Sequence, residues 1–342
     1  MFWSEALLPC LLGIPMSLSQ KSSDFIDLIR ECLSPIGRIV PYGSHAAGIS
    51  TIDSDIDLAL IVTDGYDFED LSQEVVSDII NRVLAHLRQY KAVIRNVYDA
   101  AKVPLVRASL QGQNFDIALN ACGGVIGTWL IQDLVRDNPR AVKVLQTVKE
   151  WAKANEVLGA DKSRLGSHAL TVFTLHYLIT VGVVGLPHLE NDEKGRCRSP
   201  IWTSQELSRS VLNGANMYGP RDNLWWIGGA RRRNPRFGLS FKQLVRGVFV
   251  RLNQALSDAP QSRQIYSITT RARIPVSEIL TSSPPLLYIE DPILRHNTAS
   301  NLKPGPCDKL RAEVWKALTF LRKKGTVTSR ITEKAVNWAV RE

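Results

Sequence analysis

Tyr-Gly-Ser-His-Ala-Ala-Gly at positions 42–48, followed after a short gap by Ser-Asp-Ile-Asp-Leu-Ala-Leu-Ile at positions 54–61, is the stretch that decides the fold of this chain. Successive side chains of a β-strand point to opposite faces, so Asp55 and Asp57 are predicted to share one face while apolar residues fill the other. Two carboxylates that close repel each other and raise each other's pKa unless a positive charge lies between them. A hard divalent cation with oxygen ligands is the usual solution, so the stretch predicts a metal site.

A third carboxylate is predicted to join this pair. Asp116 alternates with apolar residues in a predicted strand over residues 114–119. Gly43 and Ser44, between a strand and a helix, suit a phosphate through free backbone N–H groups. Three carboxylates beside such a turn can form a two-metal site, which activates an attacking hydroxyl and stabilises a departing pyrophosphate oxygen. The alternative, solvated aspartates at strand edges, is disfavoured because strands are poor in Asp.

The overall charge indicates a polyanionic partner. The chain has 342 residues and a mass of 38.1 kDa, which is long enough for two domains with buried cores. Its 42 Lys and Arg residues exceed its 33 Asp and Glu residues, which gives a net charge of +9 and a pI near 9.4. This favours RNA, DNA or an anionic membrane surface, and charge alone does not separate them. The 5 cysteines have no short-spaced pair and are interpreted as reduced thiols.

We expect no membrane or targeting segment. Residues 1–20 are apolar, but they contain two prolines and no basic residue before Lys21, which fits neither a secretory signal nor an Arg-rich transit peptide. Residues 169–189 form the only run long enough to raise the question of a membrane span. Because this run contains His176 and four Thr or Tyr side chains, we interpret it as a buried core helix.

The spacing of apolar residues predicts a sheet followed by helices. A capped amphipathic helix is predicted to begin near Ser22 and to end near Pro35. Strands are predicted over residues 38–41, 55–62, 92–97, 103–110 and 114–119, with a helix over residues 71–90. Further helices are predicted over residues 129–135, 139–155, 166–183, 240–255 and 308–324. The predicted fold class is therefore α/β plus α, with a mixed sheet of about five strands followed by a mainly helical lobe.

These motifs together resemble the DNA polymerase β-like nucleotidyltransferases, whose pattern is Gly-Ser, a gap, Asp-x-Asp and a distant third Asp. More narrowly, the chain resembles the noncanonical poly(A) polymerase and terminal uridylyltransferase branch. The stretches that carry this resemblance are residues 125–128 at its Asn-Thr pair, 148–153 at its Lys-x-Trp-Ala-Lys helix, 165–170 at its Leu-Ser-Ser-Tyr-Gly-Tyr stretch, and 288–292 with 297–299 at its Ile-Glu-Asp-Pro recognition loop.

The resemblance implies two domains and covers most of the chain, from about Tyr42 to Asn301. A polymerase β-like nucleotidyltransferase palm would occupy residues 38–128. It would pack on a helical central and nucleotide-recognition domain formed by residues 1–37 and 129–342, with the nucleotide in a cleft between them. A basic insertion rich in Trp and Arg is expected at about residues 186–238.

The activity implied by the resemblance is template-independent transfer of UMP from UTP to the 3′ hydroxyl of RNA, with release of pyrophosphate. It would use two Mg²⁺ or Mn²⁺ ions. Asp55, Asp57 and Asp116 would be the catalytic and metal-binding residues, and Asp116 would help to take the proton of the primer hydroxyl. The nucleotide-binding residues would be Gly43, Ser44, Ser54, Thr128, Lys149, Lys153, Ser167, His168, Glu290 and Asp291.

Physical reasoning supports part of this set independently. Lys149 and Lys153 lie four residues apart on one helix face, where like charges repel unless an anion such as a triphosphate bridges them; the alternative is a solvated basic stripe. Ser167, at the start of a long helix, is either a phosphate donor or a plain N-cap. His168 either stacks on the base with a pH-sensitive affinity, or is an ordinary helix histidine.

Three residues differ from the pattern of the branch and leave open which nucleoside triphosphate is the substrate. Gly127 replaces its asparagine, His168 replaces its tyrosine, and Leu294 stands where the uridylyl enzymes have an acidic residue. A poly(A) polymerase that uses ATP is therefore the close alternative. A catalytically inactive relative that binds RNA or scaffolds a complex is the alternative of another class, and the three intact aspartates argue against it. The basic insertion either binds along RNA, or is exposed to solvent or in contact with a partner.

The compact length, without a large domain between Asp57 and Asp116, is most similar to the small uridylyltransferases of trypanosome mitochondria. That similarity implies a mitochondrial location and protein subunits of an RNA-editing complex as partners. The N-terminal residues do not support this location, so it rests on the resemblance.

Overall fold

The structure is a computed structural model and describes residues 20–51, 54–62, 72–101, 103–185, 239–258, 263–269, 274–276 and 284–322. Its helices are α1 Gln20–Leu33, α2 Gly43–Ala46, α3 Gln73–Gln89, α4 Cys122–Val135, α5 Pro139–Ala154, α6 Ser167–Thr180, α7 Phe241–Ser257 and α8 Pro304–Arg322, with a 3-10 turn at Ala160–Lys162. Its strands are β1 Gly37–Tyr42, β2 Ile56–Val62, β3 Val93–Tyr98, β4 Leu105–Leu110, β5 Gln113–Leu119, β6 Gln264–Tyr266, β7 Ile274–Pro275 and β8 Tyr288–Ile289.

The predicted elements mostly have counterparts with ends shifted by a few residues. The largest difference is α4, which begins at Cys122, whereas the apolar spacing predicted a helix from Trp129. Two glycines in its first turn obscure the helical pattern there, since glycine is a poor helix former. The predicted insertion at residues 186–238 lies outside the described residues.

A five-stranded sheet forms the first of two compact units, called here the sheet unit, which ends at Asp137 in the described part of the chain. The strand order is β1-β2-β5-β4-β3. β2 and β5 are parallel, and the other neighbouring strands are antiparallel. Gln111 and Gly112 link β4 to β5 with positive φ values of 52° and 78°, as two-residue hairpin loops require. The predicted mixed sheet is therefore confirmed.

One face of this sheet carries the apolar core. Along β4 buried and half-buried positions alternate, and Val106 and its buried neighbours join Phe115 of β5 in one cluster with α1 and α3. The ring of Phe25 on α1 meets that of Phe115 edge-on, with centroids 5.4 Å apart. Because the apolar face of α1 packs on the sheet, this helix belongs with the sheet, whereas the sequence-based division grouped residues 1–37 with the helical domain.

Helix α4 follows β5 directly and packs against β1, β2 and α2. Gly124, in its first turn, lies close to the ring of Tyr42, where an added Cβ would come within 3.1 Å of ring carbon Cε2. This close approach places Thr128, one turn further on, beside the turn that follows β1.

The second compact unit, called the helical unit, begins at Asn138. Helices α5, α6 and α7 pack on one another, with the fully buried Trp151 edge-on to Phe249 at a centroid distance of 4.6 Å. A small sheet with strand order β7-β6-β8 leads to the loop that contains Glu290 and Asp291. The sequence analysis did not predict this sheet because strands of two or three residues show no readable alternation.

Helix α6 has the buried character that the sequence predicts. Most of its side chains are buried, including His176, whose Nδ1 lies 2.8 Å from the Ser267 carbonyl oxygen. Burial lowers the pKa of His176, and the hydrogen bond to Ser267 only partly opposes this effect. Among the described helices, none combines the length and the hydropathy that a membrane crossing would need.

Candidate active site

Four polar side chains lie next to one another across the sheet of the sheet unit. Tyr42 on β1 is opposite Asp57 on β2, Asp57 is opposite Asp116 on β5, and Asp116 is opposite Arg107 on β4. Directly opposed residues on neighbouring strands point to the same face, so these side chains form one continuous row. The structure therefore brings together two of the three predicted catalytic carboxylates, with an arginine and a tyrosine beside them.

The environment of Asp116 is a balance of opposing effects. Burial raises the pKa of this carboxyl most, the charge and hydrogen bond of Arg107 lower it, and the negative charge of Asp55 raises it, with a net rise. The guanidinium Nε of Arg107 donates to Oδ2 of Asp116 at 3.1 Å. Asp55 is exposed just before β2, and its effect on Asp116 supports the prediction that the two carboxylates are close.

Tyr42 is the fourth member of the row. Burial raises the pKa of its phenol strongly, and the charges of Asp57 and Asp116 raise it further. The phenol therefore stays protonated at neutral pH and can donate a hydrogen bond on the carboxylate side of the sheet.

Gly43 allows the turn after β1 to approach the carboxylates. Its φ is +71°, and a Cβ at this position would lie 2.0 Å from Oδ2 of Asp57. Its N–H donates to Oγ1 of Thr128 at 2.9 Å, and that hydroxyl donates to the carbonyl oxygen of Gly124 at 2.7 Å. Thr128 thus holds the turn in place, and its predicted contact with the nucleotide stays a prediction.

Ser44 and Ser54, two of the predicted nucleotide-binding residues, lie on either side of the loop between α2 and β2. Ser54 is tied into a local turn, because its Oγ accepts from the N–H of Thr51 at 2.9 Å and lies 3.0 Å from Oγ1 of Thr51. Its carbonyl oxygen is 2.9 Å from Nε2 of His45 on α2. Ser44 is half-buried in α2. These contacts hold Ser54 next to Thr51 and His45, and phosphate binding by either serine stays a prediction.

The carboxylates are chemically suited to a hard divalent cation, since they bring oxygen donors and negative charge together. A group of three or more His, Cys, Asp or Glu side chains arranged for a metal is not found among the described residues. In the structure Arg107 binds one oxygen of Asp116, and Asp55 is exposed. The two-metal assignment to Asp55, Asp57 and Asp116 therefore stays a prediction.

In the helical unit, α5 and the start of α6 carry the residues predicted to bind the triphosphate. Lys149 is only 4% exposed, which excludes the solvated stripe for this residue, whereas Lys153 is exposed. The N-cap of α6 is Gly166, so a plain N-cap role for Ser167 is wrong; Ser167 is the first helical residue and is exposed. The start of such a helix suits an anion.

The loop after β8 holds Asp291 through both carboxylate oxygens. Oδ1 accepts from the N–H groups of Ile293 at 2.8 Å and Leu294 at 2.7 Å, and Oδ2 lies 3.2 Å from Nε2 of His168. Burial raises the pKa of Asp291, but the hydrogen bond and charge of His168 and the two backbone N–H groups outweigh it and lower the pKa to about 2. Asp291 is therefore ionised, and His168 is tied to it.

Glu290 is bound to an arginine of the same loop. Nη1 of Arg295 donates to Oε2 of Glu290 at 2.8 Å and to Oγ1 of Thr269 at 2.9 Å. Glu290 thus has a structural ion pair, and its predicted role in nucleotide binding stays a prediction.

Sequence reasoning did not single out Arg107 or Arg295. For Arg107 a signal was present, because a two-residue hairpin turn at Gln111 and Gly112 sets the register that places Arg107 opposite Asp116. For Arg295 no local signal exists, since its contact depends on a positive φ of 58° in an irregular loop.

Comparison with known proteins agrees with this geometry. Residues 19–132 match the family model of the mitochondrial-like poly(A) RNA polymerase central palm domain. The human poly(A) RNA polymerase GLD2 is 29% identical over 165 residues, which cover 47% of this chain and 34% of that protein. Poly(A) RNA polymerase gld-2 of Caenorhabditis elegans is 28% identical over 189 residues, 53% of this chain and 17% of that protein. The matched part of the chain therefore spans about a third of the length of the human relative and about a sixth of that of the C. elegans relative.

Two solved structures share the fold over nearly the whole chain. A cytoplasmic RNA terminal U-transferase superposes with a TM-score of 0.63 and 19% identity, covering 92% of this chain and 90% of that one. The Cid1 poly(U) polymerase superposes with a TM-score of 0.64 and 18% identity, covering 97% and 98%.

This chain shares the fold of these two solved structures, with a mixed five-stranded sheet in one unit and mainly helices in the other. The palm-domain model and the GLD2 relatives agree with the resemblance to the noncanonical poly(A) polymerase and terminal uridylyltransferase branch that the sequence motifs carry.

Proposed function

We propose that this chain is a template-independent RNA 3′-terminal nucleotidyltransferase that transfers UMP from UTP to an RNA 3′ hydroxyl and releases pyrophosphate. The observation that carries the proposal is the pair Asp57 and Asp116, opposite each other on adjacent parallel strands and next to the close-approaching Gly43 turn. The similarity to proteins named as poly(A) polymerases and U-transferases supports an RNA nucleotidyltransferase.

Asp116 has the environment of a proton acceptor. Burial raises its pKa in the metal-free protein, and the bond from Arg107 fixes one of its oxygens. We assign to it the proton of the attacking 3′ hydroxyl. Divalent cations held by Asp55, Asp57 and Asp116 would supply charge neutralisation at the triphosphate and lower the pKa of that hydroxyl.

The helical unit supplies the proposed nucleotide contacts. The buried ammonium of Lys149, the exposed Lys153 and the start of α6 at Ser167 suit the negative charge of a triphosphate. His168 and Asp291 would face the nucleoside. Their bond orients the imidazole, whose side chain remains 43% exposed and can still stack on a base.

The second candidate is the same reaction with ATP. It is favoured by the names of the sequence relatives, which are poly(A) RNA polymerases, and by Leu294, an apolar side chain that is 45% exposed in the recognition loop. The apolar side chain of Leu294 cannot hydrogen-bond to uracil, and it can pack against an adenine ring.

The deciding experiment incubates the protein and a labelled single-stranded RNA with each nucleoside triphosphate separately, in Mg²⁺ or Mn²⁺, and the same with nicked double-stranded RNA. We expect the fastest extension with UTP. Equal or faster extension with ATP would establish the second candidate, and no extension with any nucleotide contradicts both.

Asp57→Asn is the matched test of the carboxylate assignment, with Asp78→Asn on the exposed side of α3 as its control. The first change is expected to lower the extension rate by about a hundredfold or more, and the second to leave it unchanged. Wild-type extension by Asp57→Asn would show that the reaction is catalysed elsewhere.

The mitochondrial location and the RNA-editing partners stay predictions, which cell fractionation and co-purification test.

A further inference from the structure

The sheet has a second face, opposite the apolar core. We call the part of this face on β3, β4 and β5 the open face, and the strand register gives its members as Val93, Asn96, Tyr98, Leu105, Arg107, Ser109, Asn114, Asp116 and Ala118. Val106, Ala108 and Leu110 on β4 and Phe115 and Ile117 on β5 are buried in the core, whereas the members of the open face other than Ala118 are half-buried or exposed. Six of these nine side chains are polar or aromatic, so this face suits a polar ligand.

Arg107 connects the carboxylates to the edge of the sheet. Its Nε binds Asp116, and its Cζ lies 5.4 Å from the centre of the Tyr98 ring on the edge strand β3. That distance is within the range of a cation–π contact. The side chain of Arg107 keeps 35% of its surface exposed. An aromatic ring, a guanidinium and a catalytic carboxylate therefore follow one another from the rim of the open face to the reacting group.

The order of these groups, from the ring of Tyr98 through the guanidinium of Arg107 to the carboxylate of Asp116, fits one class of ligand best. Single-stranded nucleic acid is bound by aromatic and guanidinium planes that stack on bases and by cations that contact phosphates. A neighbouring exposed basic side chain, Arg95 on β3, adds positive charge at the rim, and the chain carries a net charge of +9. The exposed amide of Asn96 and the half-buried amide of Asn114 can bond to base edges or ribose hydroxyls without selecting one sequence.

We propose that the open face binds the 3′-terminal nucleotides of the RNA primer, with a base stacked on Tyr98, a phosphate at Arg107 and the terminal hydroxyl directed to Asp116. This inference rests on the proposed function, because it assigns the second substrate of the same site. It names the RNA-binding residues on the sheet unit, none of which belongs to the predicted nucleotide-binding set.

The test uses the full chain and compares Tyr98→Leu with Tyr98→Phe. Affinity for a fluorescein-labelled single-stranded RNA is measured by anisotropy without nucleotide, and KM is measured separately for RNA and for the nucleoside triphosphate. Tyr98→Leu is expected to weaken RNA binding by about 5- to 150-fold, the range of one lost stacking contact, and to raise KM for RNA alone. Tyr98→Phe keeps the ring and should stay within about twofold of wild type.

Val97→Ala is the matched control, because Val97 lies on β3 next to Tyr98 but faces the core side, opposite Val106. It should leave RNA affinity unchanged. Unchanged nucleotide affinity and an unchanged melting temperature for Tyr98→Leu would exclude misfolding. If Tyr98→Leu binds RNA as wild type does, the open face is not the primer site and a protein partner becomes the better occupant.

The outcomes for the surface and for the activity are separable. Weakened RNA binding by Tyr98→Leu, with no extension by the wild-type protein on any nucleotide, would support the surface and overturn the proposed function. Normal extension by the wild type, with Tyr98→Leu unaffected in both RNA affinity and KM, would support the proposed function and overturn the assignment of the open face as the primer site.

Discussion

Replacing Gly43 by alanine tests whether the turn after β1 sets the position of Asp57. Gly43 has a φ of +71°, and an added Cβ would lie 2.0 Å from Oδ2 of Asp57, whereas ordinary contacts begin at 3.4 Å. The carboxylate must therefore move by about 1.4 Å, the difference between these distances, unless the turn itself shifts. A reacting group displaced by about 1 Å can cost about a hundredfold in rate.

The same substitution also introduces backbone strain, which must be separated from the displacement. An L-residue in the left-handed region costs about 1–2 kcal/mol. Gly48 provides the matched control, because its φ is +73° and an added Cβ there would meet nothing within 4 Å. Gly48→Ala should therefore show the loss of stability without the movement of Asp57.

The assay measures kcat/KM for RNA extension and the midpoint of urea unfolding for both variants. Both should lose about 1–2 kcal/mol of stability, and only Gly43→Ala should lose about a hundredfold in kcat/KM. Binding of Mn²⁺ followed by electron paramagnetic resonance gives a second readout that does not depend on turnover. Equal activity of the two variants would refute the conclusion that Gly43 positions the carboxylate.

Three further perturbations follow from described contacts. Thr128→Val removes the acceptor of the Gly43 N–H and should destabilise the protein by about 1–3 kcal/mol in urea unfolding, whereas Thr128→Ser should restore most of this. Asp291, whose pKa is lowered from 3.8 to about 2, contributes about 2 kcal/mol of stability that is present above pH 4 and is lost as the pH falls through 2. Asp291→Asn should therefore cost much more stability at pH 6 than at pH 2, and an equal cost at both would refute the linkage. Gly247→Ala would place a Cβ 1.7 Å from the Tyr177 hydroxyl oxygen and should lower the melting temperature despite the gain in helix propensity, and Tyr177→Ala in the same chain should relieve the overlap.

At Asp57 and Asp116, the sequence predicts the residues but not the arrangement of their strands. Asp57 and Asp116 were identifiable because each alternates with apolar residues in a strand, and alternation is a local property of the backbone. The sequence also predicted that Asp116 joins Asp55 and Asp57 in one site, without showing how the two strands are arranged. The structure adds that they are opposite one another on parallel strands, which depends on how two distant segments associate.

Helices were predictable for the same local reason. The apolar spacing of α3, α5 and α7 is regular, and their predicted and observed ends agree within a few residues. The small sheet of β6, β7 and β8 was not predicted, because strands of two or three residues have too few positions to show a period.

The amino-acid order alone was sufficient to predict the fold class α/β plus α and to single out the three aspartates and the lysine pair as candidate site residues, because each depends on spacing along one segment. Only the folded chain decided which charges meet: Arg107 with Asp116, His168 with Asp291, and Arg295 with Glu290. The partners in the second of these pairs are 123 residues apart. No short-range pattern encodes such contacts, because each depends on the register of strands and the path of loops, which are set by packing of the whole unit.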